Sequence, residues 1–231
     1  RVRILQNGSS LSDVSEFGED HIVGYDPMLI DQIEIIKGPA TLLYGNNAFA
    51  GVVNIINPLI TVDKTSLGEV VQADFGYSTS GGELKSALKG NKTVDDFTVR
   101  GMGSFLSSSS YDLANTSEVQ SNSAKQNFTG GIGLTYNDGR NFFGFSADKL
   151  EAEYSLPGGE GVENRTTLNP TRNTFNFKSG ISINSDLFEK VNIEGTVSEY
   201  SHAERVLADK HNIEFFNDAY EFKTSLNHKS L

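Results

Sequence analysis

The chain has 231 residues, 37% of them hydrophobic and 21% charged, which is the composition of a folded protein rather than of a disordered one. Because it contains no cysteine, disulfides, thiolate metal sites and cysteine nucleophiles are excluded. A formal net charge of −11 argues against binding to a phosphate backbone, which depends on Lys and Arg, so no nucleic acid partner is expected.

The amino terminus predicts a strand and not a targeting sequence. The chain opens on Arg1-Val2-Arg3-Ile4-Leu5, without the charged and then apolar regions of a signal peptide, so we expect a segment internal to a longer protein. No run approaches the roughly 18 apolar residues of a membrane-spanning helix. A helical membrane protein is therefore excluded. A membrane β-barrel is not, because its strands alternate apolar and polar residues.

The character of the sequence changes near Asn57-Pro58. Before this point lie short apolar segments of mixed pattern. After it, strands of period two follow one another, separated by clusters of Gly, Ser, Asn and Asp. We therefore predict two domains, residues 1–57 and residues 58–231.

Alternation predicts eight strands in the second domain. In the first of them Val71, Phe75 and Tyr77 share one face, while Gln72 and Asp74 share the other, and the strands that follow repeat this pattern. The eight segments are residues 67–77, 83–90, 94–106, 126–136, 142–152, 174–184, 188–200 and 215–228.

The connections between these strands alternate in length. Short turns at residues 137–141 and 184–186 come between longer connections at about 107–125, 153–173 and 201–214. Strands of about 10 residues, with short turns on one side and long loops on the other, are typical of outer-membrane barrels. Alternation alone also fits a water-soluble all-β protein, although the connections of a sandwich are usually less regular.

The most specific pattern in the chain lies in residues 31–57. It contains, in order, the segments Ile33-Glu34-Ile35, Gly38-Pro39, Leu43-Tyr44-Gly45 and Gly51-Val52-Val53-Asn54-Ile55. This ordered string resembles the plug of TonB-dependent outer-membrane receptors. Ile33, Ile35 and residues 52–56 are expected to form a small buried sheet, with a turn at Gly38-Pro39.

The resemblance implies a complete architecture and set of partners. The fold class would be mainly β, with residues 1–57 as the C-terminal part of a plug domain. Residues 58–231 would supply about eight antiparallel strands of a 22-stranded transmembrane β-barrel. Such a receptor imports a scarce nutrient across the outer membrane of a Gram-negative bacterium. Its partners would be the TonB complex of the inner membrane and the outer-membrane lipids.

Three further segments are similar to the zinc-receptor branch of this family. They are Phe17-Gly18-Glu19-Asp20-His21, Tyr154-Ser155-Leu156-Pro157-Gly158 and Tyr200-Ser201-His202-Ala203-Glu204. Imidazole and carboxylate groups are suitable zinc ligands, so the resemblance implies a metal site that combines Asp20 and His21 with Glu204 or His202. Zinc would then be the transported substrate, and no resident cofactor is expected.

One departure from this branch favours a different substrate. Where the branch carries a loop rich in His and Asp, residues 158–164 contain no histidine. A metal chelate such as a siderophore or haem is therefore the alternative substrate. A passive porin or an adhesin barrel does not explain residues 31–57. An enzyme is not expected, because the sequence has no nucleophile elbow, phosphate-binding loop or zinc-protease helix motif.

Overall fold

The described part of the chain folds mainly into β-strands, which confirms the predicted fold class. Among the residues that the structure describes, no helix is both long and apolar enough to cross a membrane. The computed structural model describes residues 2–11, 13, 21–22, 24–38, 44, 48–62, 69–157, 166–183, 185–206 and 212–228.

A small sheet of four strands forms from the first part of the chain. Its strands lie in the order β2-β1-β4-β3, with β1 and β4 parallel and the other two pairs antiparallel. The strands predicted at the amino terminus and at residues 52–56 are both present. The four strands are β1 (Val2–Gln6), β2 (Ser9–Ser10), β3 (Gln32–Lys37) and β4 (Gly51–Ile56).

The small sheet buries apolar side chains on both of its faces. On one face Leu5, Ala48 and Val52 form a core cluster, and on the other Leu29 and Ile55 belong to a second cluster. Leu29 ends a single 3-10 turn, Pro27–Leu29, whose start is capped by the Asp26 carboxylate accepting a hydrogen bond from the Met28 amide at 2.9 Å.

The expected burial of Ile33 and Ile35 is wrong. These side chains are 52% and 66% exposed. The reason is that β3 is the outermost strand of the small sheet within the described residues, and the cluster around Ile55 also takes in Ile4 of β1. That cluster therefore covers β4 and β1 but leaves the β3 edge open.

A glycine of the plug-like motif is required by the geometry of the small sheet. Gly51, the first residue of β4, has a φ of +133°. A Cβ atom there would lie 2.4 Å from the carbonyl oxygen of Ile36 on the paired strand β3. Any larger residue would therefore separate these two strands.

A large sheet contains all eight predicted strands, each antiparallel to the next. A short additional strand, β10 (Thr166–Leu168), pairs with both β9 and β12. The total of 22 strands remains a prediction. The eight long strands are β5 (Val70–Ser78), β6 (Glu83–Val94), β7 (Phe97–Ser108), β8 (Lys125–Asn137), β9 (Phe142–Ser155), β11 (Thr171–Ser182), β12 (Phe188–Val206) and β13 (Asn212–His228).

The two ends of the large sheet differ in their connections. At the turn end, residues 95–96, 138–141 and 183–187 join neighbouring strands. At the opposite end, which we call the loop end, residues 109–124 and 156–170 make the longer connections.

The predicted long connection at 201–214 is wrong. Strands β12 and β13 stay paired as far as Arg205 and Asn212, although the apolar alternation has already faded there, so only residues 207–211 connect them.

The two faces of the large sheet have opposite character. The outer face, which points away from the small sheet, exposes apolar side chains such as Phe75 (81% exposed) and Phe222 (76% exposed). The inner face carries buried polar side chains, among them Thr135, Asp148 and Arg172. The predicted split of β5 between Phe75 and Asp74 is therefore confirmed.

The chain that leaves the small sheet runs along the inner face of β8 and β9. The amide of Thr61 donates a hydrogen bond to Thr135 Oγ1 at 3.1 Å. Close by, a Cβ atom at Gly133 would lie 2.2 Å from the carbonyl oxygen of Leu59. The missing side chain at Gly133 thus makes room for this segment against the sheet.

Candidate metal centre

Three potential metal ligands meet near the loop end of the inner face. His202 and Glu204 lie two residues apart on β12, so strand periodicity places both on the inner face. His21 approaches them from the amino-terminal part of the chain, and its ring centroid lies 5.2 Å from that of His202. The ligand atoms of these three residues all lie within 4.8 Å of one another.

The distance between the two ligand atoms of the large sheet suits a metal ion. His202 Nε2 lies 3.5 Å from Glu204 Oε1. Ligand atoms about 2.0–2.1 Å from a tetrahedral zinc ion are about 3.3–3.4 Å apart. His202 and Glu204 therefore need almost no adjustment to share an ion. On the same estimate, His21 has to move by at most about 1.5 Å.

His202 is held in place by aromatic neighbours. Its ring is stacked on Phe215 of β13, with the centroids 4.5 Å apart and the planes inclined by 12°. The ring of Tyr200 lies 5.6 Å away. With only 4% of its surface exposed, His202 has a fixed orientation that does not depend on a bound ion.

His21 contacts a tyrosine on β9. Its Nδ1 lies 3.4 Å from the Tyr154 hydroxyl, which also accepts a hydrogen bond from the Ile22 amide at 3.4 Å. When Nδ1 carries the proton and donates it to Tyr154, the Nε2 lone pair of His21 is available to a metal ion. The contact with Tyr154 therefore favours Nε2 of His21, rather than Nδ1, as the ligand atom.

A cavity of about 470 Å³ opens beside this contact. Ile22 and Tyr154 line it on the site side, and Leu156 and Pro157 line it near the loop end. Glu83 also lines it and forms ion pairs of 2.6 Å with Lys85 and 2.7 Å with Lys125. The cavity is large enough to hold a hydrated ion, and it reaches the site through Ile22 and Tyr154 rather than through the three ligands themselves.

The structure brings together three of the four residues predicted to bind a metal ion. These are His21, His202 and Glu204, whereas Asp20 lies outside the described residues. The loop at residues 158–164 also lies outside them. His228, by contrast, is at the turn end, where its ring lies 5.9 Å from that of Phe188.

Comparison with known proteins matches the first part of the chain to a domain family. The model of the TonB-dependent Receptor Plug Domain matches residues 1–52. A stretch of 72 residues is 39% identical to the vitamin B12 transporter BtuB of Vibrio vulnificus (strain CMCP6), covering 26% of this chain and 11% of that protein. These matches confirm the resemblance to TonB-dependent receptors, with the plug-domain match confined to residues 1–52.

Solved receptors of this family share the fold. The copper transporter OprC matches with a TM-score of 0.78 at 18% identity, over 98% of this chain and 35% of OprC. The siderophore receptor PiuA of Acinetobacter baumannii matches with a TM-score of 0.67 at 11% identity, over 87% of this chain and 29% of PiuA. The chain thus spans about a third of the length of these TonB-dependent receptors. Its relatives are transporters and receptors rather than enzymes, in agreement with the sequence analysis.

Three residues near the metal ligands were not recognised in the sequence. Tyr154 was part of a segment that resembles the zinc branch but was given no role. Phe215 lies directly opposite His202 in the strand register, which no local pattern of the receptor sequence reveals. Arg172 is 3% exposed, and a lone arginine in an alternating strand gives no sign of such burial.

Proposed function

We propose that this chain belongs to an outer-membrane receptor that imports a divalent metal ion, with zinc as the leading substrate. The observation that carries the proposal is the approach of His21, His202 and Glu204 to within 4.8 Å of one another. Two imidazoles and one carboxylate are a common set of zinc ligands. Asp20, which precedes His21, is the fourth ligand that we expect.

The ligand chemistry supports zinc over monovalent copper. Copper(I) prefers thiolate and thioether ligands. The chain has no cysteine, and its two methionines, Met28 and Met102, pack against the apolar cluster around Leu29. The relation to the copper transporter OprC therefore supports a metal cargo without supporting copper(I) itself.

The division of the ligands between two parts of the receptor suggests how the ion is released. His21 comes from the amino-terminal part, which contains the plug, whereas His202 and Glu204 come from the large sheet. If the TonB complex pulls the plug, His21 separates from the other two ligands. An ion held by fewer ligands binds more weakly and leaves toward the periplasm.

A metal chelate is the second candidate substrate. It is favoured by the lack of histidine in residues 158–164 and by the fold shared with siderophore receptors such as PiuA. A chelate would depend on contacts with its organic part rather than on bare His and Glu ligands. Loss of His21 and His202 would then hardly change its binding.

Calorimetry with Zn²⁺ tests the metal proposal in the full-length receptor in detergent. We expect His21→Ala and His202→Ala each to raise the Kd at least about 10-fold, because each removes one of a small set of ligands. His228→Ala is the matched control and should leave the Kd unchanged, since His228 lies at the turn end. A native receptor that takes up no Zn²⁺ would refute the metal proposal, and ferric chelates would then be titrated instead.

A further inference from the structure

A buried arginine of the large sheet holds the part of the chain that carries His21. Arg172 extends from the inner face of β11, and among the described residues its guanidinium donates hydrogen bonds to four, all in the amino-terminal part. One Nη2 bond goes to the Gly24 carbonyl at 3.0 Å and another to Gln6 Oε1 at 3.1 Å. Nη1 lies 3.4 Å from Asp13 Oδ2 and 3.5 Å from the Leu11 carbonyl.

These contacts lie on both sides of His21 in the sequence. Leu11 and Asp13 precede it, and Gly24 follows three residues later. The guanidinium therefore ties both ends of one stretch to the same point on β11. A planar group with five fixed donors is suited to this, because it binds several oxygens at defined angles.

Burial makes this arrangement strong and directional. The side chains of Arg172 and Asp13 are 3% and 4% exposed. A buried cation without its partners is costly, so the stretch cannot leave Arg172 without exposing the guanidinium to water. The strand register also links Arg172 to the metal ligands, because Arg172 lies opposite Tyr200, two residues before His202 on the same face.

We infer that Arg172 is a positioning residue that clamps Leu11, Asp13 and Gly24, on either side of His21, and thereby holds His21 against His202. Leu11, Asp13 and Gly24 are held before a metal ion arrives, so binding does not have to bring His21 into place. Movement of the plug has to break the clamp and the metal site together. The consequence for metal affinity rests on the proposed function, whereas the clamp itself does not.

Zinc calorimetry on the full-length receptor tests the link to His21. We expect Arg172→Met to raise the Kd about 10- to 100-fold, as is usual when the partner that orients a ligand is lost. In His21→Ala, adding Arg172→Met should weaken binding no further, because the residue it positions is already gone. Independent, additive losses in the double variant would overturn the inference, and so would an unchanged Kd in Arg172→Met.

Lys178 supplies a matched control on the same strand and face. Its Nζ donates a hydrogen bond to the Asn7 carbonyl at 3.1 Å, so it also joins the two parts of the chain, but outside residues 11–24. Lys178→Met should leave the Kd unchanged. Arg172→Lys keeps the charge and is easier to accommodate, so its Kd should lie between those of the native protein and Arg172→Met. An equal loss of affinity in Lys178→Met would mean that any link between the two parts has this effect.

A measurement without zinc separates the clamp from the proposed function. Ile22 is 42% exposed and this chain has no cysteine, so Ile22→Cys places a single thiol beside His21 in a full-length receptor in which any cysteine outside this chain is replaced by serine. Maleimide should label this thiol faster in Arg172→Met than in the native background or in Lys178→Met. Equal labelling rates would overturn the clamp. If labelling accelerates but the native receptor binds no Zn²⁺, the proposed function fails and the clamp stands.

Discussion

The small sheet and the large sheet place their apolar side chains differently. The small sheet buries them on both faces, where Val52 and Ile55 of β4 belong to separate core clusters. In the large sheet, the most apolar side chains turn outward, and Phe75 is 81% exposed, while Thr135 and Arg172 are buried on the inner face. The small sheet thus keeps its apolar side chains inside, as a water-soluble protein does, whereas the large sheet carries them on its outer face.

The difference indicates which surroundings suit each face of the large sheet. An exposed band of aromatic and branched side chains is unfavourable in water but suits the hydrocarbon of a bilayer. The inner face is polar because it contacts the small sheet and water, and buried polar groups there need partners. The contacts made by Arg172, Lys89 and Lys178 are partners of this kind.

The largest expected effect is the difference in unfolding free energy between truncating a buried leucine beside the small sheet and truncating an exposed leucine of the large sheet. Leu29 is 0% exposed and packs with Tyr25, Ile55 and Ala87, so Leu29→Ala should cost about 2–5 kcal/mol by leaving a cavity. Leu88→Ala, on the outer face, should lower the free energy of unfolding by only about 2 kcal/mol, the transfer free energy of the lost carbons, because lipid fills the space. Denaturant unfolding of the full-length receptor in lipid vesicles measures both. Equal costs would mean that the Leu29 cluster is not a packed core.

A charge on the outer face tests whether that face contacts lipid. Phe75→Lys should cost about 2–4 kcal/mol, the penalty for a lysine in the middle of a bilayer. Gln72→Lys, on the opposite face of the same strand, should have almost no effect because it faces water and already contacts Asp74 at 2.9 Å. Refolding titrations into vesicles compare the two variants. Similar costs would argue against a lipid-facing outer surface.

The charged contact between the two sheets should show a smaller effect that depends on pH. Burial raises the pKa of the Asp31 carboxyl, but hydrogen bonds and charges from Lys89 and Arg100 outweigh it, so the pKa lies below its ordinary value. Asp31→Asn should therefore cost about 1–3 kcal/mol at neutral pH. This stabilisation is complete above the unfolded pKa of about 3.9 and is lost as the pH falls through the lower folded pKa.

The control for this prediction is an exposed ion pair. Glu69 and Lys92 lie 2.9 Å apart with about two-thirds of each side chain exposed, so Glu69→Gln should change stability by no more than about 1 kcal/mol. Melting curves of both variants between pH 3 and 7 make the comparison, a range chosen to cross the ordinary Asp pKa of about 3.9. A cost of Asp31→Asn that persists at the acid end would show that charge is not its cause.

Much of the fold was predictable because alternation reports the surroundings of each strand locally. All eight long strands were identified, and the faces of β5 were assigned correctly. The errors arose where pairing with a neighbour decides the outcome. Strand β12 continues to Val206 because β13 pairs with it, and Ile35 is exposed because β3 is the outermost strand of the small sheet among the described residues.

The sequence by itself determined the family motif, the strands and the residue types able to bind a metal ion. Only the tertiary structure decided that His21 meets His202 and Glu204, and that Arg172 contacts both Leu11 and Gly24. The physical reason is that local patterns specify which face of a strand a side chain occupies. Which distant residue lies opposite that face depends on strand register and on how the amino-terminal part packs against the inner face.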